Sequence, residues 1–165
     1  MATTRIGILS DTHLDTVSDY FKAIATASFA EASIILHAGD LTSLAVLDVF
    51  EDKEVHAVHG NMCAHKTCKA LPTHKTIEVG GFTIGIVHRV GNSYDFEDRL
   101  IELFPEADCI VYGHTHHPVC HQVGQTLYLN PGSFFSTGRY GAPPTYGILE
   151  IDENSLRGSI HRVQP

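Results

Sequence analysis

The sequence lacks any run of about 20 consecutive apolar residues, which is the length that a membrane-spanning helix requires. It has no low-complexity tract, and no proline-, glycine- or serine-rich stretch or charge run marks a linker between domains. The segment before Asp11 is too short for a secretory signal peptide. These absences predict a single domain over residues 1–165 that does not bind membranes and is located in the cytoplasm.

Paired cysteines and an excess of positive charge are also missing. The four cysteines form no CxxC pair, which argues against structural zinc and fits a reducing compartment. Eleven lysines and arginines face 19 aspartates and glutamates, so the formal net charge is −8 and binding to nucleic acid or an anionic membrane is disfavoured. By contrast, the 12 histidines outnumber the lysines and arginines together. This excess of histidine is the feature of the composition that requires an explanation.

The first half of the chain alternates predicted strands with predicted helices. Apolar runs ending in glycine, aspartate or asparagine predict buried strands in RIGILSD, SIILHAGD and EVHAVHGN. Between the first two, Phe21 and Ile24 at helical spacing predict a helix, and Ser43 is the expected N-cap of the next one. Strands that alternate with helices are typical of a parallel sheet.

The second half of the chain is richer in hairpin signals. Gly80 and Gly81 separate two strand-like runs, and the apolar face of SYDFEDRLIELFP predicts a helix that ends before Pro105. CIVYGH is a further buried strand, and three antiparallel strand regions are expected in HQVGQTLYLNPGS, TYGILEID and SLRGSIHRVQ. The whole pattern predicts an α/β fold whose parallel strands are flanked by a further sheet of hairpins.

Polar side chains that can bind metal follow five of the predicted strands. In chain order they are Asp11 and His13, then Asp40, then Asn61, then His88, then His114 and His116. Any one of them has an ordinary explanation, because aspartate and asparagine favour turns and single histidines are common in loops. Ligand sites in α/β sheets gather at the carboxyl ends of strands, so five such ends together favour a metal site.

The number and type of these donors point to two metal ions. Seven donors are more than one tetrahedral ion uses, but they suit two ions that share a carboxylate. Asp40 is alone on its loop and is the expected bridge. Because the set contains four imidazoles and no thiolate, it favours first-row divalent ions, with manganese preferred and iron, zinc, nickel or cobalt as alternatives.

Five short motifs carry a resemblance to a known family. They are SDTH at 10–13, GD at 39–40, GN at 60–61, VH at 87–88 and GHTH at 113–116. Their order and spacing resemble those of the calcineurin-like metallophosphoesterases. The small size of the chain and the NPGS at 130–133 are similar to the small single-domain phosphodiesterase branch of that superfamily, the YfcE-like proteins.

The resemblance implies both a fold and a ligand set. The fold would be an αββα sandwich of two mixed β-sheets flanked by helices. One ion would bind Asp11, His13, Asp40 and His116, and the other would bind Asp40, Asn61, His88 and His114.

Three positions depart from the family pattern. Met62 stands where larger members carry a histidine proposed to assist the leaving group, Cys63 stands where the small branch often has an acidic residue, and Arg89 replaces a usual glycine. We expect Cys63 to be a packing residue and not a nucleophile. His37 is expected to orient the backbone near Asp40, and NPGS to form a turn beneath the site.

The favoured function is a dinuclear-metal-dependent phosphodiesterase that hydrolyses a small phosphate ester by in-line attack of a metal-bridging hydroxide. The candidate catalytic residues, which would act through the bound hydroxide and phosphate, are Asp40, Asn61 and His114. His59 and His117 are candidate proton donors to the leaving group. Asn61 and Arg89 are candidate substrate contacts.

Two alternative functions remain open. A phosphomonoesterase using the same site would need a basic pocket beyond Arg89 to hold a dianion. A non-enzymatic protein-binding scaffold resembling the retromer subunit of this fold would retain metal poorly and expose an apolar patch away from the site. The natural substrate, the native metal and the existence of a homo-oligomer are left open by the sequence.

Overall fold

A computed structural model of the protein describes residues 2–91, 96–135 and 143–165. In chain order its helices and strands are β1 (Thr4–Leu9), α1 (Asp19–Ser28), β2 (Ile34–His37), α2 (Ala45–Asp48), β3 (Glu54–Ala57), α3 (His65–Ala70), β4 (His74–Val79), β5 (Phe82–Val87), α4 (Phe96–Leu103), β6 (Cys109–Val111), β7 (Val119–Val123), β8 (Thr126–Asn130), β9 (Thr145–Ile151) and β10 (Leu156–Arg162).

The strands form two five-stranded sheets, with strand orders β10-β9-β1-β2-β3 and β4-β5-β6-β8-β7. In the first sheet β1, β2 and β3 are parallel, while β9 and β10 are antiparallel to their neighbours. In the second sheet β5, β6 and β8 are parallel, while β4 and β7 are antiparallel. Both sheets are therefore mixed, as the resemblance implied.

Three apolar clusters hold four layers together. The central cluster lies between the sheets and joins Ile6 and Ile8 of the first sheet to Ile84 and Ile86 of the second. A second cluster packs α1 on the outer face of the first sheet, and a third packs α4 on the outer face of the second sheet. Because most of β1, β2, β5 and β6 is buried on both faces, their sequences contain continuous apolar runs. The αββα sandwich is confirmed.

The predicted helices and hairpin are largely confirmed. The Gly80–Gly81 turn joins β4 to β5, and α4 ends before Pro105; residues 93–95 of its predicted segment lie outside the described residues. The expected N-cap at Ser43 was wrong by one residue, because Leu44 is the N-cap of α2, although Ser43 Oγ accepts the Ala45 N–H at 3.2 Å.

Helix α3 was not predicted. Its sequence, HKTCKA, has no apolar periodicity, and its one buried residue is Thr67. Among the described residues, none of the helices is long and apolar enough to cross a membrane.

Candidate metal centre

The loops after five strands meet at one edge of the sandwich. Asp11, Asp40 and Asn61 follow β1, β2 and β3 of the first sheet, while His88 and His114 follow β5 and β6 of the second. Parallel strands of one sheet place their carboxyl ends at the same edge. Packing of the two sheets then joins the two edges, since Nε2 of His88 lies 3.2 Å from Oδ2 of Asp40.

The candidate ligands form two groups. In each group, one nitrogen or carboxylate oxygen from every member lies within 4.8 Å of the others; the groups are Asp11, His13 and His116, and Asp40, His88 and His114. In the first group, Oδ1 of Asp11 is 3.2 Å from Nε2 of His116 and 3.7 Å from Nε2 of His13. Asn61 adjoins the second group, with its Oδ1 at 3.1 Å from Nε2 of His88.

Two atoms of the first group are buried without a hydrogen-bond partner. They are Oδ1 of Asp11 and Nε2 of His13. An unpaired buried polar atom costs about 1–3 kcal/mol, so such atoms need compensation. A divalent cation between the carboxylate oxygen and the imidazole nitrogen would satisfy both. The residues present therefore fit a metal ion, with the oxygen and nitrogen donors that first-row divalent ions accept.

Hydrogen bonds leave the ligand atoms free to face the site. Oδ2 of Asp11 accepts the Ser10 hydroxyl at 2.6 Å and the His114 N–H at 3.2 Å, so Oδ1 is the oxygen that faces the imidazoles. Nδ1 of His88 lies 2.7 Å from the Ala38 carbonyl, which only a protonated Nδ1 can bond. This arrangement leaves Nε2 of His88 facing Asp40 and Asn61, as imidazole ligands of metals are commonly held.

The backbone of the candidate ligands is unusual. Among them, a left-handed conformation with φ between 49° and 72° is adopted by Asp11, His13, Asp40, His114 and His116. Residues other than glycine rarely adopt it, although aspartate and histidine do so more often than most. Strained backbone of this kind clusters at functional sites, and here it lets the chain turn immediately after a strand.

Glycines that precede ligands permit the close approach of these loops. A Cβ atom on Gly60 would overlap Oδ1 of Asp40, and one on Gly113 would overlap the Ser10 hydroxyl. The glycines of the GN and GHTH motifs are thus required because the loops that carry Asp40 and Ser10 pack directly against them.

Burial and charge act together on the ionisable groups. Burial by itself raises the pKa of Asp40, but the hydrogen bond and charge of His88, together with the Met62 N–H, hold that pKa below its usual value. Burial lowers the pKa of His88, yet the hydrogen bond to Asp40 and the charges of Asp11 and Asp40 outweigh it and raise the pKa. Carboxylate and imidazolium stabilise each other, so an entering metal ion would displace a proton.

The neighbouring imidazoles are shifted towards the neutral form. Burial, with the positive charges of His88 and Arg89, lowers the pKa of His114. Burial lowers the pKa of His37 to about 3. His37 has the orienting position that the sequence predicted, since its Nδ1 accepts the Gly39 N–H at 3.2 Å and its Nε2 lies 3.1 Å from the Thr12 hydroxyl.

Three other predicted site residues lie outside the two groups. His59 is half-buried, with its N–H bonded to the Pro72 carbonyl at 3.0 Å and its Nδ1 at 3.3 Å from the Gly60 carbonyl. His117 is exposed, and its N–H bonds the Thr115 hydroxyl at 3.2 Å. Arg89 is also exposed, close enough to His114 for its charge to act on that imidazole.

Sequence reasoning missed residues that hold the ligand loops. Asn130 is fully buried; its side-chain amide donates to the Gly113 carbonyl at 3.1 Å and to the Thr115 hydroxyl at 2.9 Å. The Ser133 hydroxyl donates to the Asp11 carbonyl at 3.0 Å. The NPGS segment thus fastens two ligand loops, beyond the turn expected of it. Its sequence signals only a turn, because an asparagine's partners depend on the tertiary fold.

Comparisons with known proteins identify relatives of this chain. The family model described as the calcineurin-like phosphoesterase superfamily domain matches residues 4–154. The chain is 36% identical over 163 residues to a probable metallophosphoesterase of Methanothermobacter thermautotrophicus, covering 95% of this chain and 91% of the relative. It is 30% identical over 169 residues to a phosphodiesterase of Methanocaldococcus jannaschii, covering 93% and 96%.

A solved structure shares the fold. Vacuolar protein sorting 29 of Cryptosporidium parvum superposes with a TM-score of 0.78, covering 98% of this chain and 92% of that protein. The sequence identity is 18%, so this likeness concerns the fold alone.

Proposed function

We propose that this chain uses two divalent transition-metal ions to hydrolyse a small phosphate diester. The chain belongs to the calcineurin-like phosphoesterase superfamily and is a phosphoesterase. The observation that carries the proposal is the pair of ligand groups, which face each other closely enough that Nε2 of His88 is 3.9 Å from Oδ1 of Asp11. Dinuclear hydrolases hold their ions about 3.5–4 Å apart, so adjoining groups suit such a centre.

Each ion would have its own imidazoles and share one carboxylate. One ion would be held by Asp11, His13, Asp40 and His116, and the other by Asp40, Asn61, His88 and His114. The division is supported by the two groups, and by Asn61, whose amide oxygen adjoins His88. Asp40 is suited to bridge, because its lowered pKa keeps it ionised and its Oδ2 faces His88.

Bound divalent ions supply an activated water and neutralise the negative charge that develops on a phosphoryl group. The chain's residues then have distinct tasks. His88 presents Nε2 because Nδ1 donates its proton to Ala38. Arg89 lies near His114 and is exposed, so its guanidinium can bind a phosphate oxygen. Asn61 can donate its amide N–H to the same group.

His59 and His117 are the candidate donors of a proton to the departing oxygen. Both belong to the ligand loops without being members of a ligand group, so their imidazoles are not committed to metal. General acids of this type contribute about 10²–10⁴-fold in rate.

We propose manganese as the preferred ion, because four imidazoles suit it better than magnesium, which keeps oxygen ligands and water.

The experiment is metal analysis of the purified protein combined with turnover of bis(p-nitrophenyl) phosphate and of the monoester p-nitrophenyl phosphate. We expect up to two transition-metal ions per chain, faster turnover of the diester, loss of activity with a chelator, and better recovery with Mn²⁺ than with Mg²⁺. Equal recovery by Mg²⁺ would refute the proposed ligand set, and faster turnover of the monoester would favour a phosphomonoesterase.

A further inference from the structure

The residue that follows the candidate ligand Asn61 is an exposed methionine. Met62 is 58% exposed, and the only other exposed large apolar side chains among the described residues are Tyr20 and Val123. Single apolar side chains on a protein surface are common and need no function by themselves. Met62 differs from Tyr20 and Val123 because its backbone bonds the candidate site directly.

The backbone of Met62 is fixed on both sides. Its N–H donates to Oδ1 of Asp40 at 2.6 Å, and its carbonyl accepts the Thr42 hydroxyl at 3.0 Å. The preceding turn is held as well, because the Gly60 N–H bonds Sγ of Cys63 at 3.3 Å. An apolar side chain is thus exposed to solvent on a backbone whose N–H is bonded directly to the carboxylate of Asp40, the candidate bridging ligand.

Thr42 is the residue that fixes this segment, and it does so in a strained conformation. Its φ is +65°, which is a genuine outlier for a β-branched residue. Its carbonyl accepts the Ala64 N–H at 3.1 Å and the Thr67 hydroxyl at 2.8 Å, in addition to the bond that its hydroxyl makes with Met62. Strain of this kind persists only where surrounding contacts enforce it, and it concentrates at functional sites.

We propose that Met62 determines specificity, forming an apolar platform for the organic substituent of the phosphate ester, and that Thr42 is the residue that positions it. This inference rests on the proposed function and narrows its substrate class to esters with an apolar, preferably aromatic, substituent. A thioether is polarisable and adapts its shape, so it makes favourable contacts with aromatic rings of different substrates. The rigid backbone reduces the entropy that such a contact would otherwise cost.

The experiment compares two unreactive ligands that share a phosphoryl group and differ only in the substituent. Calorimetry on the Mn²⁺-loaded protein measures the affinities of phenylphosphonate and methylphosphonate, so the readout does not depend on turnover. We expect the wild type to prefer phenylphosphonate. Met62→Ser should reduce this preference by about three- to tenfold, while Met62→Leu keeps most of it.

Matched variants separate the platform from other effects. Val123→Ser removes an apolar side chain that is 53% exposed on β7 and should leave the preference unchanged. Thr42→Val keeps the shape of the side chain but removes the hydrogen bond to the Met62 carbonyl, so the preference for phenylphosphonate should fall. Thr42→Ser keeps the hydroxyl and should retain the wild-type preference.

Three results would overturn the inference. The first is a wild type that binds phenylphosphonate and methylphosphonate with equal affinity, and the second is a preference in Met62→Ser within about twofold of the wild-type preference. The third is an equal loss of the preference in Thr42→Val and Thr42→Ser. If the wild type hydrolyses phosphodiesters with metal and one of these results is found, the platform alone is wrong. If the wild type neither turns over a diester nor binds either phosphonate, the proposed function fails with it.

Discussion

Nε2 of His88 lies 3.9 Å from Oδ1 of Asp11, although the two residues follow strands of different sheets. The candidate metal centre therefore spans the two sheets and exists only when they pack together through the central apolar cluster. Because the ligands come from both sheets, metal ions that bind here would stabilise the packed sandwich over the unfolded chain.

Removing a ligand should abolish activity while the fold persists. Asp40→Asn and His116→Ala each take away one donor at the edge of the sandwich and leave the apolar clusters intact. We expect turnover of a diester to fall about 10³-fold or more, because each metal ion supplies several kcal/mol of transition-state stabilisation. Activity, metal content and circular dichroism are measured together, with His65→Ala on the exposed start of α3 as the control. Retention of most activity by either variant would rule out the dinuclear hypothesis.

Ser10 should strengthen metal binding without touching the metal. Its hydroxyl donates to Oδ2 of Asp11 at 2.6 Å and so directs Oδ1 towards the imidazoles. Loss of such a supporting bond typically lowers metal affinity by about 10–100-fold. We expect Ser10→Ala to show this loss in competition with a chromogenic chelator. Ser33→Ala, which removes an exposed hydroxyl bonded to the Arg5 carbonyl, should bind metal like the wild type; equal affinity in both variants would contradict the assignment.

The rate should depend steeply on the leaving group. Met62 stands where larger family members carry a histidine proposed to assist departure, so an alkoxide would leave with less help than an aryl oxide of lower pKa. The difference can reach about 10²–10⁴-fold, the usual contribution of a general acid. The measurement is kcat/KM for a series of aryl and alkyl diesters.

The same series assigns the acid. If His59 or His117 protonates the leaving oxygen, the wild-type dependence is flatter, and the alanine variant of that histidine loses activity selectively on poor leaving groups. A flat series in the wild type, His59→Ala and His117→Ala would show that departure of the leaving group does not limit the rate.

His37 should make stability sensitive to acid. Burial lowers its pKa in the folded state to about 3, whereas an unfolded histidine titrates near 6.5. Between these values the unfolded state binds more protons, so the free energy of unfolding falls as pH falls, by up to about 1.4 kcal/mol per pH unit. Above about pH 6.5 both states are neutral at this residue and its contribution to the pH dependence vanishes.

Urea denaturation in the presence of a chelator, from about pH 7 to about pH 4, measures this dependence. His37→Gln should show a flatter decline than the wild type, because glutamine does not titrate. His65→Gln, which changes an exposed histidine, should keep the wild-type decline. Identical slopes in all three proteins would show that His37 does not remain neutral in the folded state.

Local patterns were sufficient to predict most strands and the position of the donors. Apolar runs that end in polar residues located β1, β2, β3 and β6, and Gly80 with Gly81 located the β4–β5 hairpin. Such signals are local because hydrophobic periodicity and turn chemistry operate over a few residues. Helix α3 escaped prediction for the same reason, since its polar sequence carries no apolar period.

By itself the sequence determined that donors follow five strand ends and that their number suits two ions, since residue type and spacing are written directly in the chain. Only the tertiary structure decided which atoms meet. Oδ1 of Asp11 faces His116, more than a hundred positions away in the chain, because packing of the sheets joins their edges. The tertiary structure also decided the left-handed conformations of the candidate ligands and of Thr42, because contacts from distant segments, which no local pattern records, offset their cost.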